Sequence, residues 1–127
     1  MIYGVGTDLI EIRRVERVLQ RFGERFARRI LCDPELKRFH AHRKPAAYLA
    51  KRFAAKEAFA KALGTGIHAP ANWHGVWVVN LSSGKPMLEF SSELREFLEQ
   101  RKIRKSHLSL SDEREIACAT VILETGD

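Results

Sequence analysis

The chain has 127 residues, 45% hydrophobic and 30% charged, which is the balance of an ordinary globular domain and not of a disordered segment. No apolar run approaches the roughly 18 residues of a membrane span, and the opening MIYGVGTD lacks the basic-then-apolar pattern of a signal peptide, so one cytoplasmic domain over residues 1–127 is expected. With 22 Lys and Arg against 16 Asp and Glu, the formal charge of +6 favours anionic partners, whether nucleic acid, phosphorylated metabolites or an acidic protein, without choosing among them.

Ile2 to Thr7 mixes β-branched residues with glycine and is predicted as a short strand. Asp8 is predicted to open a helix reaching about Phe22, with Ile12, Val15, Leu19 and Phe22 on one face. Gly23 should break or bend it before a second helical piece through Phe26, Ile30 and Leu31. Asp33 as N-cap and Pro34 at the first helical position start a third helix, and Pro45 starts the longest one, closed at Gly64 by a left-handed cap. After a loop holding Pro70 and Asn72, residues 74–81 and 86–90 read as the strands of a hairpin around a turn at 82–85. Ser91 or Ser92 caps a helix to about Arg101, and residues 105–123 form two strands around a turn near Asp112 to Arg114. In the last strand both alternating sets are largely apolar: Ile116, Cys118 and Ile122 against Ala117, Ala119, Val121 and Leu123. Such a strand is central in its sheet or covered by another subunit. The predicted class is α+β, a single domain with a mainly antiparallel sheet packed against a long central helix.

Five groups of residues have chemical potential. Around Glu57 the helical neighbours are Ala50, Phe53, Ala54, Ala60 and Lys61. Glu57 with Lys61 is either a surface i,i+4 pair, worth ~0.2–0.5 kcal/mol, or half of a buried site whose carboxylate needs a cation, lysine or metal. Asp8 fits a capping box with Glu11, or a metal ligand where strand meets helix; two carboxylates from different elements suit Mg²⁺ with phosphate oxygens completing its shell. Gly64-Thr65-Gly66 is a helix cap and turn, or a loop whose free amides receive a phosphate. His107, Ser109 and Ser111 share one strand face, which is either solvated or able to take a proton or bind phosphate. Arg14, Arg17, Arg21, Arg25 and Arg28 fall on one stripe if the helix continues past Gly23, beside Val18, Phe22 and Phe26. That stripe suits an acidic amphipathic helix or a nucleic-acid backbone. Cys32 and Cys118 form no metal or redox motif, and no serine or cysteine lies in a nucleophile motif.

In order and spacing, GTD at 6–8, RFAAKEAFAKALGTG at 52–66 and HLSLS at 107–111 resemble holo-[acyl-carrier-protein] synthase, the short type of 4′-phosphopantetheinyl transferase. The resemblance implies transfer of 4′-phosphopantetheine from coenzyme A to a serine of apo acyl carrier protein, with Mg²⁺ as cofactor, release of adenosine 3′,5′-bisphosphate, and a role in fatty acid biosynthesis. It implies Asp8 and Glu57 as metal ligands and, with Lys61, as the catalytic group. It assigns Lys44, Arg52, Gly64, Thr65, Gly66 and His107 to the coenzyme, and Arg14, Arg21 and Arg25 to the carrier protein. Two positions depart from pattern: Asp112 replaces a second histidine that many members carry, and Ile10 replaces a third acidic residue of the longer transferases. Those longer enzymes contain two copies of this domain, so the single copy implies assembly; the resemblance itself suggests a homotrimer with active sites between neighbouring subunits, and no nucleic-acid or membrane partner. The competing expectation is a basic nucleic-acid-binding module without catalysis, which leaves Asp8 and Glu57 unexplained.

Overall fold

The computed structural model describes residues 1–126, in the order β1 (Ile2–Glu11), α1 (Ile12–Phe22), α2 (Glu24–Ile30), α3 (Asp33–Ala41), α4 (Pro45–Leu63), β2 (Val76–Asn80), β3 (Pro86–Phe90), α5 (Ser92–Gln100), β4 (Ile103–Glu113) and β5 (Ile116–Thr125). Strands β1, β5 and β4 form an antiparallel sheet with β5 in the centre, and β2 and β3 form a separate hairpin. The predicted α+β class holds, with α4 laid across β1 and β5.

Helix α4 is central because its sequence has no polar face. Twelve of its 19 residues are buried, and they lie on every side of the helix. Phe59 and Leu63 share one core with Val76 of the hairpin, Leu94 of α5 and Val121 and Leu123 of β5, whereas Leu49 shares a second core with Val15, Ile30 and Leu31 on the side of α1 to α3. Alanines dominate the face toward β1, and there the strand answers with glycines. A Cβ at Gly4 would overlap the carbonyl oxygen of Ala62, and one at Gly6 would overlap that of Ala58. Strand and helix backbones therefore touch directly, closer than any side chain would allow.

Several predicted boundaries move. Strand β1 runs to Glu11 and pairs with β5 as far as Glu11↔Ile116, so Asp8 lies mid-strand opposite Ala119. The Asp8–Glu11 capping box does not form: α1 starts at Ile12, whose amide donates to the Glu115 carbonyl at 2.7 Å instead of to a cap side chain. A long-range ladder here satisfies backbone groups that the local pattern assigned to a helix. Gly23, at φ 57° and ψ −136°, ends α1 outright, so α1 and α2 are separate helices and the arginine stripe is not continuous. In α3 the N-cap is Cys32, with Glu35 accepting its amide at 3.0 Å, so Asp33 is already helical.

Elsewhere the predictions stand. Gly64 takes the left-handed cap at φ 86°, Ser91 caps α5 by accepting from the Leu94 amide at 3.2 Å, and the hairpin pairs Val76↔Phe90 through Asn80↔Pro86. Strand β5 is central: its Ala117, Ala119, Val121 and Leu123 are buried toward α4. On the opposite sheet face Val5 and Leu9 are 56% and 65% exposed, and nothing among the described residues covers them.

Candidate active site

Strand alternation places Asp8 on the same face as Gly4 and Gly6, against α4. The close approach those glycines permit brings the Asp8 carboxylate beside the helix turn carrying Glu57 and Lys61. Lys61 Nζ donates to the Thr7 carbonyl at 2.9 Å and to Asp8 Oδ1 at 3.1 Å, with Asp8 only 16% exposed. The i,i+4 pair expected between Glu57 and Lys61 is not made; the lysine crosses to the strand. Among the described residues Glu57 has no ion-pair partner. Its carboxyl is pushed above the usual range first by burial and then by the charge of Asp8, with Lys61 pulling it partly back. Two carboxylates thus feel each other's charge, with one lysine paired to Asp8 beside them.

No group of three or more His, Cys, Asp or Glu that could hold a metal occurs among the described residues. Two carboxylates from different elements, one of them raised by burial and by the charge of the other, nevertheless fit Mg²⁺, which keeps several waters and takes the rest of its ligands from substrate phosphate. Ile10, at the position of the longer enzymes' third acid, adds no carboxylate.

The remaining candidates are not gathered at this centre. The amides of Gly64, Thr65 and Gly66 all point at the Ala60 carbonyl, at 2.9, 3.3 and 3.4 Å, so they are not free to receive a phosphate. They also sit at a helix C-terminus, whose dipole disfavours anions. The Thr65 hydroxyl donates to Gly66 O at 2.8 Å. Arg52 lies roughly 140° around α4 from Glu57; it is buried, stacked 4.2 Å from the Tyr48 ring and bonded to Asn80 Oδ1 at 3.0 Å. Lys44 precedes α4, roughly 20 Å along the axis from Glu57, in a groove with Asp112 and Arg114. Asp112 is paired with Lys51 at 3.2 Å. His107 points to the uncovered sheet face, opposite to Asp8, and its Nε2 lies 2.7 Å from Glu124 Oε2. Arg14 and Arg21 are exposed on α1, and Arg25 on α2 shares a groove with Val18, Phe22 and Phe26.

Residues 4–121 match the family model of the 4′-phosphopantetheinyl transferase superfamily. The holo-[acyl-carrier-protein] synthase of Nitrosomonas europaea is 52% identical over 124 residues, covering 98% of this chain and 99% of that one. The chain belongs to the holo-[acyl-carrier-protein] synthase family of phosphopantetheinyl transferases. As a member it is an enzyme of the transferase class. The crystal structure of the Neisseria meningitidis synthase superposes with a TM-score of 0.96 at 44% identity, over 98% of this chain and all of that one. A Bacillus anthracis synthase, solved in complex with CoA (3′,5′-ADP), superposes at 0.82 with 37% identity over 99% of both chains.

One residue within the family's central stretch escaped the reading of the sequence. Lys56, adjacent to Glu57, is wholly buried and donates to Glu35 Oε1 at 2.7 Å, Ile30 O at 2.6 Å and Trp73 O at 2.8 Å. The available signal was its helical neighbourhood of Leu49, Arg52, Phe53, Ala60 and Leu63, which leaves no exposed side for an ammonium.

Proposed function

We propose that this enzyme transfers 4′-phosphopantetheine from coenzyme A to a serine hydroxyl of an apo acyl carrier protein. The observation that carries the reading is the convergence of Asp8 from β1 with Glu57 and Lys61 from α4, in a chain of this family. The serine oxygen forms a bond to the β-phosphorus of coenzyme A, the pyrophosphate P–O bond breaks, and adenosine 3′,5′-bisphosphate departs. Asp8 and Glu57 would hold Mg²⁺, which supplies neutralisation of the charge building on the leaving phosphate. Lys61 adds a flexible positive charge at the same place, and the Glu57 carboxylate takes the serine proton.

Lys44, Arg52 and His107 are assigned to the nucleotide of the coenzyme, with the 64–66 loop packing against it and not binding its phosphates through the amides, which are held by Ala60 O. His107 faces away from Asp8 and β4 is separated from β1 by β5, roughly 10 Å across, so His107 serves an active site completed by a neighbouring subunit. The uncovered face bearing Val5 and Leu9 is suited to that contact, and the assembly proposed is a homotrimer. Arg14, Arg21 and Arg25 receive the acidic surface of the carrier protein, with Phe22 and Val18 beneath it. The reaction supports fatty acid synthesis in the cytoplasm; no helix among the described residues is long and apolar enough to cross a membrane.

The test is intact-mass measurement of several small apo carrier proteins incubated with enzyme, coenzyme A and Mg²⁺, with and without chelator. A chelator-sensitive gain of one phosphopantetheine on the carrier serine is expected. No gain across the carriers overturns the reading. A nucleic-acid module would instead keep its partner in Glu57→Gln, whereas the transferase loses turnover.

A further inference from the structure

Lys61 has a choice of two carboxylates and takes the more distant one in sequence. It bonds Asp8 Oδ1 at 3.1 Å and the Thr7 carbonyl beside it at 2.9 Å, while Glu57, one helical turn away, goes without an ion pair among the described residues. The ammonium thus lies against one carboxylate and a backbone carbonyl, with Glu57 outside ion-pair distance but within reach of its charge, surroundings that also suit a cation. We propose that Lys61 is the internal counter-ion of Asp8, a positioning residue that competes with divalent metal for the carboxylate pair and withdraws when metal is bound.

The chemistry is a swap of cations. With Lys61 in place, the net charge of the three groups is −1 instead of −2, so the pull on a free divalent cation is reduced and Asp8 is held in one orientation. Lys61 is 52% exposed, so its stem can swing outward without opening the core. A phosphate-bearing substrate offers the displaced ammonium a second anion, which lets metal and diphosphate enter together. This inference rests on the assignment of Asp8 and Glu57 as cation ligands made above.

The test is a titration of metal alone, without coenzyme or carrier protein: free Mn²⁺ followed by electron paramagnetic resonance against wild type, Lys61→Met and Lys61→Arg. A methionine keeps the stem and removes the charge, whereas arginine keeps the charge. Lys61→Met is expected to bind Mn²⁺ about fivefold to tenfold more tightly, the effect of one removed charge at this distance in a half-exposed site. Lys61→Arg is expected to stay near wild type. Thermal melting without metal supplies a second readout: Lys61→Met melts lower than wild type, because Asp8 and Glu57 then repel unscreened, and added Mn²⁺ raises its melting point by more than that of wild type. Equal or weaker Mn²⁺ binding by Lys61→Met overturns the counter-ion role while leaving the cation site intact. If neither protein binds Mn²⁺, the carboxylate pair is not a cation site and both readings fall.

Discussion

Replacing Lys56 by methionine removes the one ammonium that three elements share. All three of its N–H donors are used, on Glu35 Oε1, the Ile30 carbonyl and the Trp73 carbonyl, at 2.6 to 2.8 Å. Glu35 in turn accepts from the Cys32 amide at 3.0 Å and from the Val78 amide at 2.9 Å. The pair therefore ties α4 to the end of α2, the start of α3, the loop before β2, and β2 itself. Lys56→Met leaves a buried carboxylate without its cation, a loss of about 3–5 kcal/mol, and two carbonyls without donors. Against a total stability of roughly 5–15 kcal/mol, that lowers Tm by roughly 10–20 °C for a chain of this length.

The second variant separates charge from backbone satisfaction. Many buried ion pairs are replaced by apolar residues at no cost, because the charges hold only each other. Here Lys56→Met with Glu35→Leu would still orphan the amides of Cys32 and Val78 and the carbonyls of Ile30 and Trp73. Each such group costs about 1–3 kcal/mol, so the double variant should stay several kcal/mol below wild type. Urea unfolding of all four members of the cycle, followed by circular dichroism at pH 7 with m checked for constancy, measures this. A double variant as stable as wild type would refute the claim that the pair is a backbone hub.

Glu57→Gln is expected to reduce turnover by roughly 10²–10⁴-fold while melting slightly above wild type at neutral pH without metal. The sign follows from its raised carboxyl: the native state holds this proton more tightly than the unfolded chain, so the group favours folding at low pH and opposes it above its native pKa. The advantage of glutamine should vanish as pH falls below about 4, which melting curves across pH would reveal. Gly6→Ala should push β1 off the Ala58 carbonyl, costing about 1–3 kcal/mol. It should also weaken Mn²⁺ binding by displacing Asp8; unchanged binding would disconnect the glycines from the site. Arg21→Glu and Arg25→Glu should each raise KM for the carrier protein about tenfold, less at high salt, with KM for coenzyme A unchanged. Equal effects on both substrates would place these arginines elsewhere in the mechanism.

Local physics controls the features that the residues alone made legible. The proline start and glycine end of α4, the hairpin around 82–85, the serine cap of α5 and the central position of β5 all follow from caps, turn residues and alternation within a few residues of each other. Family membership was legible for the same reason: its central stretch is one uninterrupted helix and cap. Tertiary structure decided everything that depends on partners far along the chain. Asp8 had a sound capping partner three residues away, and lost it because β5, more than a hundred residues on, offered β1 a full ladder. Lys61 had Glu57 one turn back, yet bonded Asp8 because Gly4 and Gly6 let the strand backbone touch the helix. The partner of Lys56 is 21 residues away on another helix, and no periodicity within α4 could point to it. An ionisable side chain surveys every neighbour within its reach in space, and only the fold determines which neighbours those are.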